Sequence, residues 1–493
     1  MQIFKPERKK KMKKFKKIIS LMLAAAMSFS LAVSQAAAVS AASADNDKVS
    51  AARVWNGKID TSWFTKDKTK DRYEISTPEQ LAGFAQLVTD AAHSDRFRGV
   101  MISLTNDIVL NDTSNWENWR KNPPKNTWDP IGKVGSPING YCPFAGVFNG
   151  NGHTISGMFV NERNDNHKEG GLFCYLSGAA VVNLKIEKSV VMSEVCTSGA
   201  LAGLCEKSYI DCVEVKDTKV YSTYSNYREG GPVGGIVGSM TRVNMTEMLA
   251  AGTLMAFGIV VNPLIFGQDE YIRASYVINC KAENVDLYTE SWVANAGSIV
   301  GQTFRGGIYN CLSINCTASS LGNYRRDWAH FGSILGSEEY QGECTLQNCY
   351  SYNFKMIDND KEKSKKLVRS DKERVKAVSK ETLQSSNLAK KLGDGFKAVK
   401  NSSPVLANIN RYKVKVILNG SKAKFAWTSV KNAKEYKIYY KSEGKYKELT
   451  TVKVTSAELN NIKKGSTYSL LIRAIYSDGT YEEVSGGRFT LKA

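Results

Sequence analysis

The feature that most restricts this chain is an internal repeat. A small residue, Gly or Ser, two aliphatics and Gly recur as Gly199-Ala200-Leu201-Ala202-Gly203, Gly234-Gly235-Ile236-Val237-Gly238, Ala296-Gly297-Ser298-Ile299-Val300-Gly301 and Phe331-Gly332-Ser333-Ile334-Leu335-Gly336, with a looser copy at Gly170-Gly171-Leu172-Phe173-Cys174. Successive copies start 29, 35, 63 and 35 residues apart, and the long step holds an apolar insertion at 241–272. A second marker follows each copy: Asn183-Leu184, Asp211-Cys212, Asn279-Cys280, Asn310-Cys311 and Asn348-Cys349. Two markers in phase at one period signal a solenoid, whose units cannot bury an apolar face alone and must stack. The units lack helical spacing and consist of short runs such as Val213-Glu214-Val215 and Tyr350-Ser351-Tyr352, broken by Gly. The expected fold class is therefore all-β, a solenoid whose rungs lie ~4.8 Å apart.

Stacking turns equivalent residues into ladders. Gly permits the tight corner, the paired aliphatics fill the interior, and Asn or Asp can bond its equivalents above and below. Ten cysteines would invite disulfides if the chain enters an oxidising compartment. Cys212, Cys280, Cys311 and Cys349, however, read as one repeat position, where a small buried residue packs well, so an inward ladder of free thiols is expected. Cys311 with Cys316, and Cys205 with Cys212, remain the alternatives for bridging. A stack also has two open ends and needs caps. Residues 76–88 supply one: Thr77 is placed to N-cap a helix, Pro78 suits its first turn, and Gln80 completes a capping box. Leu81, Phe84, Ala85 and Val88 then form one apolar stripe.

These residues bring a resemblance into view. The run from Tyr73 to Ala85, the strand Asn106-Asp107-Ile108, Trp128-Asp129-Pro130-Ile131-Gly132, and the run from Pro143 through Asn149-Gly150-Asn151-Gly152 to Gly157 resemble bacterial Glug-motif surface proteins. The Gly-aliphatic repeats are similar to that family's repeats, and the resemblance covers roughly residues 55–407. It implies a right-handed parallel β-helix with helical caps on an exported, adhesin-like binding protein. No catalytic residue set belongs to the motif, so none is carried over. By the same resemblance, 377–407 closes the far end, with Leu383, Leu388, Leu392 and Phe396 on a short amphipathic helix, after an almost wholly polar linker at 358–376. The insertion at 241–272 departs from the family pattern.

The domain organisation follows: 1–44 leader, 45–354 β-helix, 355–407 linker and cap, 408–493 a separate module. In the last, alternating strands with frequent turns mark a small β-sandwich. Phe425-Ala426-Trp427, Tyr436 to Tyr440 and Gly465 to Ala474 resemble a fibronectin type III domain. That resemblance implies Trp427 as core tryptophan and Tyr468 as the tyrosine-corner residue, with Leu459 close by.

Charge is unevenly placed. Residues 1–44 carry a net +8, 355–400 a net +7 and 408–493 a net +10, which leaves −6 on 45–354. A negative body weighs against nucleic acid as the main partner. The basic C-terminal region could lie against an anionic cell-envelope polymer by long-range attraction, although a solvated Lys-rich surface is the plainer reading. Lys13-Lys14-Phe15-Lys16-Lys17, an apolar stretch from Ile18 to Val33, and the small-residue sites Ala36-Ala37-Ala38 and Ala42-Ser43-Ala44 read as a secretory signal peptide. The expected location is secreted or cell-surface. Met248 to Phe266 approaches the length of a membrane span but contains Gly252, Gly258, Asn262 and Pro263, so it is expected to pack on the body and gives no firm membrane span.

Chemistry is sparse. No phosphate loop, dinucleotide fingerprint, H-E-x-x-H or Gly-x-Ser-x-Gly elbow occurs, so no cofactor and no metal is expected. Glu290, Asp327, Glu338 and Glu339 are the carboxylates from which a polysaccharide lyase or glycoside hydrolase would be built. Surface acids on a negative body are the plainer reading. A stronger constellation precedes the Gly-aliphatic markers: Tyr227 and Arg228, then Trp292, then Tyr324, Arg326 and Trp328. In-register stacking would line them up as a stripe for sugar rings, with Arg supplying bidentate bonds, unless the rings fold inward as corner packing. The expected function is a non-catalytic protein that binds a glycan or an extracellular protein ligand.

Overall fold

The repeat steps of the sequence reappear as strand registers. In the computed structural model, Phe173, Ala202, Val237, Val300 and Leu335 are successive partners across one parallel five-stranded sheet, at offsets of 29, 35, 63 and 35 residues. Gly199, Gly234, Gly297 and Gly332 are partners across a parallel four-stranded sheet. A third parallel sheet, of 17 strand segments, takes in the long runs Ala180–Ser193, Tyr209–Ser222 and Lys281–Thr289. From residue 169 onward the chain visits the four-stranded, the five-stranded and the 17-stranded sheet in turn, then repeats. The protein is thus mostly β, built on parallel sheets.

The structure describes residues 53–65, 71–90, 97–133, 142–162, 169–194, 197–223, 231–240, 274–290, 294–320, 330–339, 344–358, 369–393 and 395–407. Farther on it describes 415–419, 421–427, 433–442, 445–460, 467–477, 481–484 and 488–490, without the side chains of 415–419, 441–446, 467–471 and beyond 477. The leader expected at 1–44, the insertion at 241–272 and the Tyr468 side chain lie outside these residues. Residues 54–493 form one compact unit. Among the described residues, no helix is long and apolar enough to cross a membrane.

Each corner has a steric reason. Between the four- and five-stranded sheets, a Cβ on Gly234, Gly297 or Gly332 would run into the carbonyl oxygen three residues on, of Val237, Val300 or Leu335. Only glycine lets the chain turn that tightly. The residue inside each turn (Leu201, Ile236, Ile299 and Ile334) is wholly buried in the core.

On the third sheet the corners are held by side chains. Asn183, Asn279, Asn310 and Asn348 all adopt left-handed backbone, φ between 50° and 54°, and are aligned by the strand registers. Their amides bond rung to rung: Asn310 Nδ2 donates to Asn279 Oδ1 at 3.1 Å and Asn348 Nδ2 to Asn310 Oδ1 at 3.3 Å. Five residues later a second ladder does the same, Asn284 Nδ2 donating to Asp217 Oδ1 (2.8 Å), Asn315 to Asn284 (3.3 Å) and Asn353 to Asn315 (3.0 Å). Asn tolerates left-handed backbone better than other non-glycine residues, and its amide carries both donor and acceptor.

The thiol ladder needs one correction. Register places Cys280, Cys311 and Cys349 in one inward column with Leu184 and Val213, but Cys212 is displaced by one residue. It occupies the asparagine corner, with φ 54°, and its thiol donates to the Ala407 carbonyl at 3.2 Å. A thiol cannot serve the amide ladder, so Asp211 takes over and its Oδ1 accepts from Asn279 Nδ2 at 2.8 Å. The candidates for bridging, Cys311, Cys316, Cys205 and Cys212, are free thiols. Burial, with Cys280 and Cys349 stacked on either side, pushes the Cys311 thiol well above its usual range. Burial holds Cys205 at about 12.

Outward positions of the same sheet show a second pattern. Lys185, Glu214 and Lys281 are partners in one column, and Glu187, Lys216 and Glu283 in the next. Signs alternate both along and across the strands, which converts the like-charge stacking inherent in an in-register sheet into ion pairs. Lys281, only 2% exposed, lies 3.2 Å from Glu214 and 2.6 Å from Glu283. Burial alone would lower its ammonium pKa, but the two carboxylates outweigh that and hold it above the ordinary value.

The ends are closed differently. Helix α1 (Pro78–Thr89) begins at Thr77, whose side chain accepts from the Gln80 amide, and its Phe84 packs among Phe97, Phe144 and Phe148 with ring centroids 5.3–5.9 Å away. At the other end the turn 369–375 tucks under the last rung. Asp371, 3% exposed, accepts from the Ile334 and Leu335 amides at 2.7 and 3.2 Å, and Val375 joins the core. The closing residues therefore sit within the stretch expected to be linker. The stretch expected to close the stack instead runs along its flank: α2 (Lys380–Leu383) and α3 (Ser386–Leu392) lay Leu383, Leu388 and Leu392 on the outward Leu312, Ile314 and Tyr350. In the C-terminal module, an antiparallel three-stranded and an antiparallel five-stranded sheet share a core of Phe425, Trp427, Tyr436, Ile438, Leu459 and Ile472.

Replacing Lys281 by Ala removes the buried cation that Glu214 and Glu283 share, and should lower the unfolding free energy by about 2–4 kcal/mol. Urea titration at pH 7 reads this directly. Because the folded pKa is raised, the stabilisation from Lys281 is fully present below about pH 10 and is lost as pH rises through the folded value, so wild type and variant should converge only in strong alkali.

Candidate functional site

Helix α1 carries two stripes. Leu81, Phe84 and Val88 face the core, whereas Ala82, Ala85, Gln86 and Thr89 recur at i, i+3, i+4 and i+7 and line one wall of a groove of about 430 Å³. Trp55 and Ile59 form the opposite wall, and Trp128, between Thr127 and Asp129, completes it, with Asp90 at the end of the helix. The volume is that of a small-ligand cleft.

Each wall is fixed from behind. Gly83 lets α1 approach the segment at Asp60 so closely that a Cβ there would collide with the Asp60 carbonyl, and the Asp60 amide donates to Glu79 O at 2.9 Å. Asn111 and Asn126 bond reciprocally: Asn111 Nδ2 donates to Asn126 O at 2.9 Å, and the Asn126 amide donates to Asn111 Oδ1 at 3.0 Å. Asn126 Nδ2 also donates to Trp55 O (2.7 Å) and Leu110 O (3.0 Å). One buried asparagine pair thus ties both tryptophan segments to the first strands. The two indoles meet edge to face with centroids 6.0 Å apart. Both indole N–H groups are committed, Trp55 Nε1 to Lys58 O at 2.7 Å and Trp128 Nε1 to Leu172 O at 3.2 Å. Trp128, only 1% exposed, backs the groove, so Trp55 and Ile59 are the side chains that offer a ligand carbon surface, and neither indole offers a hydrogen bond. Polarity comes from the exposed Gln86, Asp90, Thr127 and Asp129, and no Lys or Arg is among the lining residues.

None of the six residues read from the sequence as a binding stripe can be placed here. Tyr227, Arg228, Trp292, Tyr324, Arg326 and Trp328 all lie outside the described residues. Of the candidate carboxylates, Asp327 does too. The others are engaged: Glu290 pairs with Arg120 at 3.1 Å, Glu338 pairs with Arg374 at 2.6 Å and accepts from the Cys344 amide, and Glu339 accepts from Gln302. Among the described residues, no three His, Cys, Asp or Glu side chains come together as metal ligands. An aromatic–cation cluster does exist on the flank. Tyr221 and Tyr288 stack at 4.4 Å, Arg120 lies over the Tyr221 ring, and Lys219 lies over Trp116 and donates to Glu117 O. Its cations are tied to Glu290 and to a carbonyl, so it reads as the clasp that holds residues 113–122 on the sheet. Sequence reasoning missed the groove although Trp128-Asp129 and α1 were both singled out; the usable signal was the second, small-residue stripe of the helix.

Replacing Gly83 by Ala should displace α1 from Asp60 and destabilise the protein by more than the usual Gly-to-Ala gain in a helix can offset, a net loss of about 1–3 kcal/mol. A thermal melt followed by tryptophan emission tests this, since Trp55 and Trp128 border the displaced wall.

Comparison with known proteins adds little to this geometry. No protein-family model matches the chain, and no curated protein does. Among solved structures, the solution structure of the fn3 domain of the human collagen alpha-1(XX) chain is similar at 20% identity, covering 17% of this chain and 80% of that one with a TM-score of 0.15.

Proposed function

We propose that the chain is an exported, non-catalytic binding protein of the secreted or cell-surface kind, whose Trp55–Trp128 groove takes a neutral glycan. In this reading the stacked rungs wind as a parallel β-helix of the Glug-motif type, with a fibronectin type III-like module after it. The parallel registers at the repeat period support the winding, and the shared core of two antiparallel sheets around Trp427 supports the module. The observation that carries the ligand class is the composition of the groove. Indole and aliphatic surface suits the C–H face of a pyranose ring. Carboxylates, an amide and a hydroxyl at Asp90, Asp129, Gln86 and Thr127 suit its hydroxyls. Carboxylates accept and never donate when ionised, so this lining is suited to the donor hydroxyls of a sugar and less suited to uronate or phosphate groups.

The test is calorimetry of the full chain against soluble neutral and uronate-rich polysaccharides. Neutral polymers should bind, and Trp55→Ala should weaken binding at least tenfold, about 1.4 kcal/mol. Trp55 is half-buried at the mouth, so the variant should keep its fold. Binding only to uronate polymers, undiminished binding by Trp55→Ala, or release of new reducing ends would each reject the reading.

A further inference from the structure

The groove beside α1 presents two kinds of polar group. Asp90 and Asp129 each already interact with another group of the chain, and an ionised carboxylate only accepts. Gln86 and Thr127 are exposed, and among the described residues neither side chain has a hydrogen-bond partner. Both are neutral, and both can donate as well as accept: the Gln86 amide has N–H groups and a carbonyl, and the Thr127 hydroxyl works in either sense. Gln86 comes from the helix and Thr127 from the tryptophan wall, so the two belong to separate walls of the groove. The surface between them is mostly carbon. Ala82 and Ala85 precede Gln86 on the groove face of α1, which makes Gln86 the one long side chain there. Across from them lie Trp55 and Ile59, the latter 55% exposed. The short alanines leave room for a methyl group as well as for the C–H face of a ring.

We propose, on the footing of the glycan reading of this groove, that Gln86 is a specificity-determining residue and that the ring it selects is an N-acetylated amino sugar. An acetamido group carries one N–H, one C=O and a methyl. Its amide is trans, so the N–H and the C=O point in opposite directions and need partners on two sides. Gln86 on one wall and Thr127 on the other supply them, in either orientation, because each can donate and accept. The methyl has Ala82 and Ala85 to lie on. A hydroxyl at the same ring position is too short to engage both walls and has no methyl to bury.

The test is calorimetry of the full chain against three soluble tetrasaccharides that share one backbone and differ only in the substituent beside the anomeric carbon. Chitotetraose carries acetamido groups there, its deacetylated form ammonium groups, and cellotetraose hydroxyls. Chitotetraose should bind about tenfold more tightly than cellotetraose, the worth of one well-made hydrogen bond. Gln86→Ala and Thr127→Val should each bring the two affinities together while the thermal midpoint stays unchanged, since both side chains are exposed. Equal binding of chitotetraose and cellotetraose by the wild type, or a preference that survives both substitutions, overturns the assignment of Gln86 and leaves the glycan reading standing. Tighter binding of the deacetylated form also overturns it, in favour of Asp90 and Asp129 as the selecting groups. If none of the three binds, the glycan reading falls and the acetamido preference with it.

Discussion

The amide ladders at the corners of the large sheet are the constraint on which the rest of the structure depends. A left-handed corner in a non-glycine residue is unfavourable by itself. It persists because each Asn amide both donates to the rung below and accepts from the rung above, as Asn310 does between Asn279 and Asn348. That pairing fixes the register of the strands on either side. Register in turn decides which residues point inward, so the aliphatic turn residues, the thiol column and the charge columns all inherit their alignment from a few polar side chains. Where one rung departs from the pattern, at Cys212, the neighbouring Asp211 supplies the missing acceptor, and the ladder continues.

Parallel sheets leave edge strands that need cover, and two segments of this chain supply it in two ways. An amphipathic helix with four aromatic rings closes one end by burying apolar surface. A buried aspartate that accepts from the Ile334 and Leu335 turn amides closes the other by satisfying backbone donors. The helical end has an additional result: α1 has a large-residue stripe for the core, so its small-residue stripe is left to form a wall. The groove with Trp55 and Trp128 is thus a by-product of capping, held open by the Asn111–Asn126 pair and by the close approach at Gly83.

Much of the architecture was legible in the sequence because in-register stacking copies a local pattern into three dimensions. The steps between Gly-aliphatic markers equal the strand offsets, and a corner Asn or its Cys212 equivalent follows each marker. The misplacement of Cys212 has a physical origin as well. Side-chain type suggested that Asp211-Cys212 matched Asn279-Cys280, whereas the backbone aligns residues by their left-handed corner. The groove was harder to read, since its walls come from positions 55–59, 82–90 and 127–129, which no periodicity connects. The small stripe of α1 was visible, but what faced it was a matter of tertiary packing.

The alternating columns of Lys and Glu have a bearing on how such a chain assembles. Every unit of a repetitive sequence offers nearly the same surface, so during folding a segment can skip its proper neighbour and join the next one along. Omitting the unit that carries Glu214 and Lys216 would set Lys185 against Lys281 and Glu187 against Glu283. Misthreaded intermediates of this sort are penalised at two places at once, while the correct order is rewarded at both. The columns thus act as a parity check on the sequence of assembly, in a fold whose apolar interior alone would accept the error.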